Sequence, residues 1–430
     1  MSDLQHTLAR HAAADVELLC ASVRAVLVVG ARQTGKTTLA RGIAAGGFGA
    51  GTGPVPIVTL DDATVRAAAG RDAAGFLAQL GMPAVIDEVQ RAPELILAIK
   101  QRLDEDTRPG RYLLTGSAQL RGVSGVLDLL PGRIVTVPLW PLAQSEIAGT
   151  PPSIVASLFE NMPPRIEAAP VGRSAYAAAI AAGGFPEARL LPQAVRARWF
   201  DAYVGGVLLG ETERLGGGSA LTSLPRLLTL LAARTGVPLS VDTLATRVEL
   251  DRRTILRYLD ILEILSITTR LPAWTPGLSR REIHAPKVVL NDSGLFCSLL
   301  GFDEARLAID DEATGKAFET FALGEILRHA SLLQSGAPRA FHYRDQSRRL
   351  GEVDLLLEAR SGEIVAIEAK SSATVSERDA VALASLRDRA GASFRCGVVL
   401  TTGASTIPLG DRLWAVPLQA LWSQTANAPA

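Results

Sequence analysis

The chain of 430 residues is short of several things, and each shortage excludes a class of protein. It carries no excess charge of either sign. Its 44 basic residues face 44 acidic ones, which excludes a polycation held to nucleic acid by bulk charge but not a local basic face. No stretch reaches about 18 consecutive apolar residues, so no membrane span is expected. The N-terminus, MSDLQHTLARHAAADVELLC, lacks the basic and then apolar order of a secretory signal. Cysteine is rare: Cys20, Cys297 and Cys396 stand far apart without CxxC spacing. They read as buried thiols in a reducing compartment, not as a disulfide frame or zinc site. His6, His11, His284, His329 and His342 show no metal-ligand spacing either, and the expected location is cytoplasmic. Lysine is the scarcest charged residue. Only Lys36, Lys100, Lys287, Lys316 and Lys370 stand among 44 basic residues, so a lysine kept in this chain points to chemistry more than to composition.

What is present is an ordinary core-forming composition, 48% hydrophobic and 20% charged. At about 150 residues per domain the length predicts about three domains. An apolar strand over Ala25–Val29 is followed by a glycine-rich turn and a helix from about Lys36. Strand patterns at Ile57–Leu60, Ala84–Ile86, Arg111–Leu114 and Ile134–Val137 alternate with helical ones such as Glu94–Leu103. That alternation predicts a parallel, doubly wound sheet over residues 1–150. Prolines at 151–152 and 163–164 mark a boundary, and residues 151–275 read as a helical module. From about Lys287 a second α/β pattern begins: a helix over 314–330, a hairpin over 352–370, a helix over 377–390 and strands near 395–400 and 412–416. The expected third domain is therefore 280–430.

Gly30-Ala31-Arg32-Gln33-Thr34-Gly35-Lys36-Thr37, followed by Thr38, fits GxxxxGK[ST] at every fixed position and sits between a strand and a helix start. Such a loop cradles phosphate oxygens on backbone N–H groups. Lys36 would reach the β- and γ-phosphates of ATP, and the Thr37 hydroxyl would bind Mg²⁺. Fifty-one residues after Lys36, the apolar run Pro83–Ile86 ends in Asp87-Glu88, the Walker B arrangement. Asp87 would hold the Mg²⁺ shell and Glu88 would act as general base toward the attacking water. Thr115 or Ser117, at the end of the next strand, fits a sensor position between the two motifs, or a plain strand-end turn. Arg121 and Arg133 are candidates for a charge-neutralising arginine supplied in cis or by a neighbouring subunit.

Residues 238–271 read PLSVDTLATRVELDRRTILRYLDILEILSITTRL. Val241–Val248 has helical spacing, Asp251 caps a second helix to Leu265, and a strand over Ile267–Leu271 follows. This is a helix-turn-helix layout with the start of a wing, and Arg252, Arg253 and Arg257 lie on the exposed part of the second helix. One reading sends that helix into the major groove of double-stranded DNA. The other makes it a lid-like helical subdomain whose arginines face solvent, with Glu249, Asp251 and Asp260 diluting the patch.

Residues 351–372, GEVDLLLEARSGEIVAIEAKSS, read as a hairpin turning at Ser361-Gly362. Alternation puts Glu368 and Lys370 on one face, and the turn length lets Asp354 approach them. Two carboxylates and an ammonium on one face make a site for one or two Mg²⁺ ions and a positioned water, suited to phosphodiester hydrolysis. Glu319 in the preceding helix would add a third carboxylate. The same spacing also fits an edge hairpin crossed by an ion pair.

With these motifs placed, residues 20–375 resemble the prokaryotic AAA-type ATPases with an uncharacterised C-terminal region of restriction-endonuclease-like fold. The landmarks are GARQTGKTT, VIDEVQRAPEL, LLTGSAQL, Pro131-Gly132-Arg133, Pro138-Leu139-Trp140-Pro141-Leu142 with Glu146, and Gly183-Gly184-Phe185-Pro186-Glu187. Others are the helix-turn-helix segment and the stretch from His342-Tyr343-Arg344-Asp345 through Glu352-Val353-Asp354 to Ile367-Glu368-Ala369-Lys370. The resemblance implies an ATP-binding and ATP-hydrolysing core, a winged-helix element and a PD-(D/E)xK-type nuclease-like domain. In that domain Asp354, Glu368 and Lys370 match the D…ExK signature. AAA-type cores often form rings, which makes a homo-oligomer an expectation. The resemblance supplies no substrate. Two functions follow. One is an Mg²⁺-dependent ATPase whose nucleotide state controls a DNA-binding and, in one version, DNA-cleaving C-terminal half. The other is a slow-turnover nucleotide switch with a catalytically silent nuclease-like domain that serves as a platform for a protein or DNA partner.

Overall fold

The computed structural model describes residues 8–49, 53–117, 132–152, 154–166, 171–214, 220–275, 285–344 and 351–423, with the side chains of 209–214, 220 and 221 excepted. His6, Arg121, Pro131, Arg280, Arg281, His284, Asp345, Arg348 and Arg349 lie outside the described residues. Two compact units divide the chain: residues 1–141 with 264–266, and residues 142–263 with 267–430. The expected boundary near 275–280 is thus not a break between compact units. No helix among the described residues is long and apolar enough to cross a membrane.

The first unit contains helix α1 (Ala12–Ser22), strand β1 (Ala25–Gly30), α2 (Lys36–Gly46), β2 (Ile57–Thr59), α3 (Ala63–Arg71) and α4 (Ala73–Leu80). It continues through β3 (Ala84–Asp87), α5 (Glu94–Glu105), β4 (Tyr112–Ser117) and β5 (Ile134–Pro138). The five strands form a parallel sheet in the order β2-β3-β4-β1-β5. Every residue of β1, β3 and β4 is buried, as central parallel strands covered on both faces require. Leu27, Val29, Ile86 and Leu114 from the sheet pack with Leu95, Ile99 and Leu103 of α5. Short polar caps set the helix starts: Asp62 accepts from the Thr64 N–H (2.7 Å) and Asp72 from the Gly75 N–H (2.9 Å).

The second unit opens with helices α6 (Gln144–Ala148), α7 (Ile154–Phe159), α8 (Arg173–Ala182), α9 (Pro186–Leu190), α10 (Gln193–Arg214) and α11 (Ala220–Ala233). Helices α12 (Val241–Val248) and α13 (Arg252–Ile264) follow, with Glu249 left-handed between them (φ 60°). As expected, Asp251 caps α13, accepting from the Thr254 N–H (2.9 Å) and hydroxyl (2.6 Å). Strand β6 (Thr268–Leu271) then pairs antiparallel with β7 (Lys287–Leu290). Lys287 therefore closes this two-stranded sheet and does not begin the C-terminal one, a difference from the sequence expectation. Pairing partners so far apart leave no local signal.

The rest comprises α14 (Ser293–Leu300), α15 (Glu304–Ile309), α16 (Asp311–Ala330), β8 (Arg339–Arg344), β9 (Glu352–Glu358), β10 (Ile364–Ala369), α17 (Val381–Ala390), β11 (Phe394–Thr401), β12 (Ile407–Gly410) and β13 (Leu413–Pro417). Its six strands lie in the order β12-β13-β11-β10-β9-β8. β8, β9 and β10 are an antiparallel meander, and β11 joins β10 in parallel through α17. Cys20, Cys297 and Cys396 are buried free thiols. Burial pushes Cys20 and Cys396 up to about 12.

Candidate functional site

In the first unit the phosphate-loop residues lie at the carboxyl end of β1, where α2 starts. Gln33 and Gly35 are left-handed (φ 62° and 93°), the backbone turns from which anion nests are built. At Gly35, the residue before α2, that conformation favours glycine. The Lys36 ammonium is buried and donates to the carbonyls of Ala31 (2.8 Å) and Gly30 (3.2 Å). Burial lowers its pKa, while the carboxylates of Glu88 and Asp87 oppose that shift. Arg32, Gln33 and Thr38 are exposed along the loop and first turn.

Asp87, at the end of β3, is the hub. It accepts hydrogen bonds from the hydroxyls of Thr37 (2.9 Å), Thr115 (2.5 Å) and Thr59 (3.1 Å). β4 lies between β1 and β3, so Thr115 stands between the two motifs, where a sensor was expected. Its hydroxyl also accepts the Glu88 N–H (3.1 Å) and so ties both carboxylate residues to β4. Glu88 is left-handed (φ 59°), and its carboxylate accepts from the Gln90 amide. Gln90 in turn accepts the Ser117 N–H (3.2 Å). The Thr37 hydroxyl and the Asp87 carboxylate are hard oxygen donors side by side, a set that fits Mg²⁺.

Arg133 does not join this cluster. The β1–β5 register pairs Ile134 with Ala25, which puts Arg133 at the amino-terminal edge of the sheet, opposite the loop. There it pairs with Asp104 (2.5 Å). A sensor or charge-neutralising role toward the loop of its own chain is therefore withdrawn. Sequence reading missed three contributors. Thr59 reaches Asp87 because β2 is registered on β3 with Thr59 beside Asp87. Gln90 couples Glu88 to Ser117. Arg10 donates to the carbonyls of Thr34 (2.6 Å) and Trp140 (2.6 Å), clamping the phosphate loop from outside. Only Gln90, two residues beyond Glu88, was within local reach of the motif.

In the second unit the hairpin delivers its expected residues. Leu355 pairs with Ile367 at the end of the β9–β10 ladder, and Asp354 and Glu368 are the next residues along the two strands. Both are buried, each 9% exposed. The Ala369 N–H donates to Asp354 Oδ2 (3.1 Å), and the Lys370 ammonium pairs with Glu368 Oε1 (2.8 Å). Lys287 of β7 completes the cluster: its ammonium, 1% exposed, is 2.7 Å from Glu352 Oε1 and 3.6 Å from Asp354 Oδ1. Burial raises Glu319 to about 8, reinforced by the Asp354 charge; burial and Asp354 likewise raise Glu368 to about 7. Glu368 Oε2 and Glu319 Oε1 are buried without a hydrogen-bond partner. Among the described residues no three carboxylate, imidazole or thiolate groups stand as a ready-made metal shell, and lysines pair with Asp354 and Glu368. The partnerless carboxylate oxygens nevertheless fit a hard cation.

Arg252, Arg253 and Arg257 are exposed on α13 as expected. Arg252 is paired with Asp242 of α12 (2.7 Å), whereas Arg253 and Arg257 have no ion-pair partner among the described residues. Asp260 is drawn to Arg270 (2.7 Å).

Comparison with known proteins separates these regions. Residues 22–148 match a family described as an AAA domain, residues 173–306 a domain of unknown function (DUF8612), and residues 314–421 a domain of unknown function (DUF4143). The AAA-domain match spans the phosphate loop, Asp87, Glu88 and Thr115. With the parallel five-stranded sheet, it supports an AAA-type P-loop ATPase core. Over 424 residues the chain is 29% identical to Uncharacterized protein Rv2008c of Mycobacterium tuberculosis and to Uncharacterized protein Mb2031c of Mycobacterium bovis. Those alignments cover 95% of this chain and 83% of each relative.

Proposed function

We propose that the protein is an Mg²⁺-dependent ATPase whose nucleotide state controls a DNA-binding second unit with a phosphodiester-cleaving site. The observation that carries the first half is the convergence of the Thr37 and Thr115 hydroxyls on Asp87, with the Glu88 N–H tied to Thr115, behind a loop with a buried lysine. Thr37 and Asp87 would hold Mg²⁺, which supplies charge neutralisation at the phosphates. Lys36 exchanges loop carbonyls for phosphate oxygens, and Glu88 takes the proton of the attacking water once its carboxylate leaves Gln90.

For the second unit, the succession α16–β8–β9–β10–α17–β11 supports a PD-(D/E)xK-type reading, with Asp354 and Glu368 as carboxylate ligands and Lys370 positioning a water. The α12–α13 pair with its β6–β7 sheet supports a winged-helix reading, with Arg253 and Arg257 toward DNA phosphates. The test is incubation with linear, nicked and single-stranded DNA in Mg²⁺ or Mn²⁺. Cleavage by the wild type, lost by about 10²-fold or more in Asp354→Ala and Lys370→Ala, is the expected result. No cleavage of any substrate would leave the second reading, a slow nucleotide switch with a silent binding platform. The lysine pairing of both motif carboxylates favours that alternative.

A further inference from the structure

Lys287 lies outside the hairpin motif, yet it is the most deeply buried cation of the carboxylate cluster. Four carboxylates surround the site: Glu319 of α16, Glu352 and Asp354 of β9, and Glu368 of β10. Two ammoniums oppose them, Lys287 on Glu352 and Asp354, and Lys370 on Glu368. The next carboxylate outward, Asp379, is taken by the Ser376 N–H (2.9 Å) and hydroxyl (2.9 Å). With all four carboxyls ionised, as a bound cation would hold them although burial raises Glu319 and Glu368 without one, the cluster keeps two uncompensated negative charges, the charge of a single divalent ion. A second divalent ion would reverse the sign and leave two buried positive charges, which a low-dielectric site strongly disfavours.

We propose that Lys287 is a resident counter-cation that limits the carboxylate site to one divalent metal ion and, by its hold on Asp354, opposes that ion's binding. The inference rests on the metal-site reading of Asp354 and Glu368. The geometry makes Lys287 a positioning residue: it is closer to Glu352 than to Asp354 (2.7 against 3.6 Å), so Glu352 draws the ammonium away from Asp354. Removing the ammonium should therefore strengthen metal binding, and removing Glu352 should weaken it.

The experiment is Mn²⁺ titration of the full chain without nucleotide, counting free Mn²⁺ by electron paramagnetic resonance, with Asp354→Asn as the blank for all other sites. The wild type is expected to bind one Mn²⁺ more than the blank. Lys287→Met is expected to bind it at least tenfold tighter, Lys287→Arg as the wild type does, and Glu352→Gln at least tenfold weaker. Because the Met and Gln variants shift in opposite directions, general misfolding cannot produce both results. Two Mn²⁺ ions in the wild type, or unchanged affinity in both variants, would overturn the role of Lys287 while leaving the metal reading intact. No Mn²⁺ above the blank would overturn the metal reading, and the inference with it.

Discussion

Glu319 and Glu368 are the residues whose environment is most at odds with their charge. Each is buried beside Asp354, and each has its carboxyl raised above the ordinary value of 4.5, Glu319 to about 8. A carboxyl raised in the folded state contributes stability below the unfolded pKa and loses it as pH rises through the folded one. His342 acts in the opposite direction. Burial lowers it to about 4, so its penalty is complete only below that value and gone by about 6.5. The two effects separate above pH 6.5. In EDTA, the thermal midpoint of the second unit should fall by a few degrees between pH 6.5 and 8.5, and Glu319→Gln should flatten that slope. A midpoint that rises over this range in the wild type would show that these carboxyls are not raised.

At the scale of elements, the joint between α8 and α14 is sharply constrained. Gly183 ends α8 with φ 65°, and a Cβ there would stand 2.5 Å from Asp292 Oδ1 and 2.8 Å from the Gly294 nitrogen. The Gly184 N–H meanwhile donates to Asp292 Oδ2 (2.6 Å), and the Asp292 side chain also caps α14 at Leu295. Gly183→Ala is expected to cost about 1–3 kcal/mol by calorimetry. Gly205→Ala, inside α10 with open space around it, is expected to stabilise by about 0.5–1 kcal/mol. Equal effects of the two substitutions would contradict this account of the joint. Elements such as these differ in how visible they are in sequence. The phosphate loop, the Asp87-Glu88 strand end and the 352–370 hairpin announce themselves because their signals are local: fixed spacings, alternation and a glycine turn. Thr59, Arg10 and Lys287 reach their sites through strand register or tertiary contact at long sequence separation, so no spacing marks them. Arg133 shows the converse: a plausible residue type in a matching motif, carried by the parallel register to the wrong end of the sheet.

Across the whole molecule, equal numbers of acids and bases conceal a division of labour. Acids on α12 and α13 offset some of the exposed arginines there, whereas the buried charges gather at a few points. Three of the five lysines, Lys36, Lys287 and Lys370, stand at the two candidate sites, while Lys316 makes an exposed ion pair with Glu312. Scarcity of lysine was thus a better guide to these two clusters than net charge, and it extended to Lys287, which no motif marked. The central claim concerns the first unit, where the loop, Asp87 and Glu88 stand together within residues 30–117. The most direct test is the steady-state rate of Mg²⁺-dependent ADP release by the full chain, compared with Lys36→Ala and Glu88→Gln. Measurable turnover by the wild type, reduced by about 10²-fold or more in both variants, is the predicted result. Variants that hydrolyse ATP at the wild-type rate would contradict it.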